Sequence, residues 1–131
     1  MVYLIDTNII VRFLVKDGSD FQKSFKIFKD IENCSIKVII KSYILMEVYF
    51  VLVKFYKLNR LEVISDLKAI LSLRCVINDD KDILLQTLSI LENKNIDFAD
   101  ALLCAENRLN FIEIISFDKD ISNCIKHNIG K

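Results

Sequence analysis

Two apolar runs that stop abruptly at an aspartate constrain this chain more than any other feature. Val2, Tyr3, Leu4 and Ile5 run into Asp6, and Glu113 to Phe117 run into Asp118. Each run has the length and composition of a short buried strand. In an open parallel sheet, ligands bind in the crevice beyond the carboxyl ends of the strands, so an acid placed there is presented where chemistry is done. Helix capping competes with that reading for Asp6. Asp, Thr and Asn are all good N-cap residues, and Asp6-Thr7-Asn8 supplies one of each.

Between the two runs, helical and strand-like patterns alternate. Thr7 to Val15 sets Ile9, Ile10, Phe13 and Leu14 at helical spacing and stops at Lys16-Asp17-Gly18. Ser19 or Asp20 caps a second helix to about Asn33, with Phe21, Phe25, Ile27 or Phe28, and Ile31 on its apolar face. Lys23, Lys26 and Lys29 line its other face, a solvated row that also suits steering of a polyanion. Lys37 to Ile40 is a second strand. Tyr43 to Tyr56 is apolar nearly all round, and its length makes it a buried helix.

Asn59 or Arg60 opens a fourth helix to about Leu73, with Leu61, Ile64, Leu67, Ile70 and Leu71 facing inward. Cys75 to Ile77 suits a short strand. Asp79 and Asp80 begin a helix to about Asn93, where these two and Asp82 complement the helix dipole. Asp97 has the position of an N-cap for an Ala- and Leu-rich helix, Ala101 to Leu109, with Asp100 where a capping box places Glu. A short helix and an edge segment follow Asp118. Strands alternating with helices predict an α/β domain with a mainly parallel sheet. At 131 residues without repeat or linker, one domain, 1–131, is expected.

Composition narrows the chemistry. A chain that is 53% hydrophobic and 27% charged is not disordered. No apolar stretch reaches the ~18 residues of a membrane span. The first basic residue, Arg12, comes too late for the charged start of a signal peptide, so a soluble cytoplasmic protein without membrane contact is expected. Cys34, Cys75, Cys104 and Cys124 form no C-x-x-C pair, which leaves reduced, mostly buried thiols as the expectation. Eighteen basic and eighteen acidic residues cancel, so a nucleic-acid partner requires a local basic surface. Gly18 and Gly130 cannot build a glycine-rich phosphate loop. His127, the one histidine, falls near the C-terminus, where a solvated residue is expected, and a Ser-His-Asp triad is disfavoured.

Carboxylates are what remains. Keeping those at the carboxyl end of an apolar strand, or isolated within an apolar helix, selects Asp6, Glu47, Asp100 and Asp118, with Asp97 and Asp120 in reserve. Glu47 is the only charged residue between Ser42 and Lys54. Burying its carboxylate is expensive unless it is paired, hydrogen-bonded or bound to a cation. A cationic partner or an exposed edge of the helix is the bland alternative. Converging carboxylates raise one another's pKa unless a cation holds them together. Oxygen ligands without His or Cys suit Mg²⁺ or Mn²⁺, and such a site suits hydrolysis of phosphodiesters.

Four segments, in order, resemble the PIN-domain nucleases. They are Asp6-Thr7-Asn8 after a strand, Glu47 in a long apolar helix, Asp97-Phe98-Ala99-Asp100-Ala101-Leu102, and Ser116-Phe117-Asp118-Lys119-Asp120. The resemblance spans nearly the whole chain and looks most like the VapC-type ribonuclease toxins of type II toxin-antitoxin pairs. It implies a three-layer α/β/α fold with a mainly parallel sheet of four or five strands. It also implies a Mg²⁺ or Mn²⁺ site held by Asp6, Glu47, Asp100 and Asp118. Asn8 matches the residue that orients the first Asp, and Thr7 assists through its hydroxyl. Asp97 matches a common family residue that capping also explains, and Asp120 contacts metal through water.

The resemblance further implies an RNA substrate, a homodimer, and silencing by an antitoxin lying along a groove near the first helices. Phe13, Phe21 and Tyr49 are candidates for that groove, with core packing as the competing role. The chain departs from the family in having Lys41-Ser42-Tyr43, without proline, before the Glu-bearing helix, and in being short after Asp118. Two other readings compete. A phosphoacceptor or phosphatase-type domain would place its acceptor Asp mid-chain, where this sequence offers Glu47 instead. A catalytically silent PIN-like binding module would have no need of the acidic quartet.

Overall fold

The structure, a computed structural model, describes residues 1–125 apart from Asp17 and Ser19. Asp17 in the first helix stop, Ser19 as a cap, His127 and the terminal edge segment lie outside the described residues. The chain divides into two compact units, Met1–Asp79 and Asp80–Lys131.

In the first unit, β1 (Val2–Leu4) and β2 (Lys37–Ile39) pair in parallel, with Val2 opposite Lys37, Tyr3 opposite Val38 and Leu4 opposite Ile39. Parallel neighbours cannot be joined by a tight turn, and α1 (Thr7–Val15) and α2 (Asp20–Glu32) make the crossover. The α1 boundaries match the sequence reading. The helix stops at Lys16, which adopts a left-handed φ of 62° and donates its N–H to the Arg12 carbonyl. Phe13 stacks on Phe28 at 4.1 Å between ring centroids, and Ile10, Val11 and Ile31 are buried beside them.

A third parallel segment lies on the other side of β2. The Val38 N–H donates to the Cys75 carbonyl and the Ile77 N–H to the Val38 carbonyl, both at 2.9 Å. Asn78 then supplies the next rung with its side chain. Its Oδ1 accepts the Ile40 N–H at 2.9 Å and its Nδ2 donates to the Ile40 carbonyl at 2.5 Å. Each of these buried groups left unpaired would cost about 1–3 kcal/mol, so one amide terminates the ladder without exposing backbone to an apolar core.

α3 (Ser42–Phe50) continues through one π-helical turn, Val51–Phe55, confirming that the long apolar segment is helical. Lys57, at φ 54°, breaks it, and Asn59 caps α4 (Arg60–Leu71) by accepting the Glu62 N–H at 3.1 Å. Burial is less complete than the sequence suggests. Leu45, Val48, Tyr49 and Leu52 are buried while Tyr43, Phe50 and Phe55 are exposed. In α4 the inward face is Val63, Ile64, Leu67, Ile70 and Leu71, and Leu61, expected inward, is exposed. Of the candidate groove residues, Tyr49 belongs to the core, where Arg60 donates a hydrogen bond to its hydroxyl.

β1 also differs from expectation. Only Ile5 of the run is buried, whereas Val2, Tyr3 and Leu4 are exposed. Within the unit, β2 covers one edge of the strand. Its apolar side fronts an open hollow of about 290 Å³ lined by Tyr3, Leu4, Ile5, Ile9, Ile27 and Ile36.

The second unit comprises α5 (Lys81–Asn93), α6 (Phe98–Asn110) and α7 (Lys119–Cys124). Leu84, Leu88 and Leu91 of α5 and Ala101, Cys104 and Ala105 of α6 are fully buried where the helices pack. The small residues of α6 leave room for the leucines of α5 at close-packed density. Phe111, left-handed at φ 56°, ends α6, and Asn107 Nδ2 donates to the Ile112 carbonyl at 2.8 Å.

The result is a mostly helical α/β chain with two parallel strands among the described residues, rather than the expected four or five. Glu113 to Phe117, read as the last strand, contributes a bridge at Ile114 alone, and Ile115 and Phe117 are exposed. Strand-forming composition states a preference, but a ladder requires a paired edge along its length. No described helix is long and apolar enough to cross a membrane.

The cysteines correct the sequence reading. Cys34 pairs with Cys75 and Cys104 with Cys124, at Cα separations of 5.6 and 6.1 Å, within the range a disulfide spans. Separations of 41 and 20 residues hide both pairings from any local spacing rule.

Candidate metal centre

Asp118 occupies the N-cap of α7 in an extended conformation. Its Oδ1 accepts the Asp120 N–H at 2.8 Å, and its own N–H donates to Ser116 Oγ at 3.0 Å. That cap bond employs one carboxylate oxygen and leaves the other for a ligand. Asp120, one residue inside the same helix, is carried beside it. Asp100 sits in the first turn of α6, half-buried.

One carboxylate oxygen from each of Asp100, Asp118 and Asp120 lies within 4.8 Å of the others. Burial pushes the Asp100 carboxyl above the usual carboxylate range, and the negative charges of Asp118, Asp97 and Asp120 push it further. Three hard oxygen donors that repel one another fit a divalent cation of the Mg²⁺ or Mn²⁺ type, which supplies the missing positive charge. Asp120, in reserve on sequence grounds, joins the cluster. Its signal is its place two residues after a capping aspartate, where the first turn carries it round to the cap.

Asp97 holds the N-cap position of α6 but makes no side-chain cap bond. It is exposed, and its resolved effect is electrostatic, on Asp100.

The other two acids of the predicted quartet belong to the first unit. Asp6 is the N-cap residue of α1, in extended geometry, yet its side chain makes no cap bond and is exposed. Capping therefore accounts for its position without occupying its carboxylate. Thr7 is buried with its Oγ1 unpartnered, and Asn8 is exposed in the first turn of α1. Glu47 lies on α3, which packs against α1, and is exposed without an ion pair among the described residues. The burial cost that singled it out from sequence does not apply: the carboxylate faces solvent from an otherwise apolar helix.

Fold and site together describe an α/β scaffold that sets acids at the heads of helices entered from apolar runs, with an oxygen-only ligand set. The PIN domain family model matches residues 3–125, through both units, and the chain belongs to that family. The PIN domain is generally a metal-dependent nuclease fold, hence a hydrolase, and usually binds Mg²⁺ or Mn²⁺. No curated protein matches the chain.

Proposed function

We propose that this protein is a metal-dependent endoribonuclease, using Mg²⁺ or Mn²⁺ to hydrolyse RNA phosphodiester bonds, and that both units act as one PIN domain. The observation that carries this reading is the meeting of three carboxylates at the heads of α6 and α7 in a chain of this family. Asp100 and Asp118 would hold the ion, and so would Asp6 and Glu47, which are exposed carboxylates with no competing bond among the described residues. Asp120 holds the Asp118 carboxylate through its N–H and presents a further oxygen. Asn8 orients Asp6. The ion, when bound, supplies the positive charge that lowers the pKa of an attacking water and offsets charge developing on the phosphate.

In biological role the protein is the toxin of a toxin-antitoxin pair, a cytoplasmic homodimer silenced by a cognate antitoxin. The exposed lysines Lys23, Lys26 and Lys29 on α2 are a local basic row suited to drawing in RNA, since the whole chain has no net charge. The deciding measurement is RNA cleavage by the purified protein with Mg²⁺ or Mn²⁺, set against EDTA and against Asp6→Asn and Asp100→Asn. Cleavage that survives all three treatments would remove the mechanism.

A further inference from the structure

The acids of the second unit are carried on two helices that are tied together one turn away. Asp100 and Cys104 are four residues apart on α6, and Asp120 and Cys124 four apart on α7. On each helix, therefore, carboxylate and cysteine share a face. Cys104 is bonded to Cys124, and one turn along the oxygens of Asp100, Asp118 and Asp120 meet. The covalent link and the acid cluster are two rungs between the same pair of helices.

α7 is six residues long and buries Ile121 and Cys124. Arg108 donates from Nε and Nη2 to the Cys124 carbonyl at 3.1 and 3.0 Å, and Lys94 Nζ donates to the Asn123 carbonyl at 3.2 Å. These bonds and the disulfide act at the C-terminal end, whereas Asp118 and Asp120 stand at the N-terminal end. A short helix fixed at one end translates any tilt there into displacement of the acids at the other.

We propose that the Cys104–Cys124 disulfide is the positioning element of the acidic cluster. It sets the angle of α7 on α6, and with it the spacing of Asp100, Asp118 and Asp120, so the thiol state of this pair governs the cluster's affinity for a divalent cation. The consequence for cation binding rests on the nuclease reading; the positioning itself does not. In the reducing direction, a thiolate of a small dithiol attacks one cysteine sulfur and forms a mixed disulfide. The other cysteine leaves as a thiolate and is protonated. The reductant's second thiolate then closes its own ring and releases the remaining cysteine, so two electrons and two protons pass to the protein. Cys104 and Cys124 are both buried, whereas Cys34 is half-exposed, so the Cys34–Cys75 pair reduces first.

The test uses the full chain carrying Cys34→Ala and Cys75→Ala, which isolates the pair of interest. Backbone amide signals of Asp100, Asp118 and Asp120 are recorded without metal before and after complete reduction by dithiothreitol, followed by calorimetric titration with Mn²⁺. Reduction is expected to move all three signals and to weaken Mn²⁺ binding about 10-fold or more, the loss typical of removing a partner that orients a ligand. Reoxidation is expected to restore both. A Cys104→Ala, Cys124→Ala protein should start weak and ignore dithiothreitol; if it does not fold, the reduction and reoxidation cycle decides alone. Amide signals that stay fixed after thiol counting shows full reduction would overturn the proposal, whatever the protein does to RNA. Signals that move while neither state binds Mn²⁺ would uphold the positioning role and overturn the nuclease reading.

Discussion

Asp6 and Asp118 begin as the same local device and end differently. Each follows an apolar run, each adopts extended geometry, and each heads a helix. Asp118 bonds its own helix through the Asp120 N–H, whereas Asp6 makes no cap bond. The helices explain the difference. α1 has nine residues and is anchored by Ile10, Val11 and the Phe13–Phe28 stack, so its packing does not depend on a cap. α7 has six residues, of which Ile121 and Cys124 are buried, and its first turn draws on the side chain. An acid at a helix head is thus free for chemistry to the extent that packing has already secured the helix, and it does double duty where packing has not.

The largest expected effect removes that contrast. If both acids hold the ion, Asp6→Asn and Asp118→Asn should each lower the RNA cleavage rate by at least ~100-fold, beyond the loss of an outer partner. A cleavage assay in Mg²⁺ that finds either variant fully active would strip that acid of its role. The next effect separates the two residues. Asn caps as well as Asp, so Asp118→Asn should keep stability while Asp118→Ala loses about 1 kcal/mol. Asp6→Ala should stay within ~0.5 kcal/mol of the parent, as for a surface change without a lost bond. Urea midpoints for the three variants test this, and an equal cost for Asp6→Ala would mean that its cap bond forms in solution.

A smaller effect depends on pH. The Asp100 carboxyl is raised by burial and by its acidic neighbours. Between the ordinary carboxylate pKa and the raised one, the folded state binds more protons than the unfolded state, so metal-free stability should fall as pH rises through that window. Asp100→Asn should flatten the fall and leave the metal-free protein slightly more stable at neutral pH, by less than ~1 kcal/mol given solvent screening. It should also abolish the rise in melting temperature on adding Mn²⁺. Thermal melts across pH, with and without Mn²⁺, read both, and a steeper pH dependence in the variant would contradict the repulsion. The smallest effect concerns Thr7, whose buried hydroxyl has no partner. Thr7→Val should be neutral or stabilising by up to ~1 kcal/mol, because no hydrogen bond is broken. A clear loss of stability in urea would show that the hydroxyl is bonded.

The sequence by itself determined the helices and most of their limits, because helical periodicity and stop signals are local. α1 and α5 end at Val15 and Asn93, where the pattern said they would, and Asp118 and Asp100 stand where an apolar run and an Ala-rich helix put them. Tertiary structure alone decided what depends on distant partners. It left Glu113 to Phe117 with a single bridge, left Glu47 exposed, joined cysteines 20 and 41 residues apart, and brought Asp120 to Asp100 and Asp118. Pairing, burial and charge clustering are properties of surfaces that meet, and no window along the chain contains both sides of such a meeting.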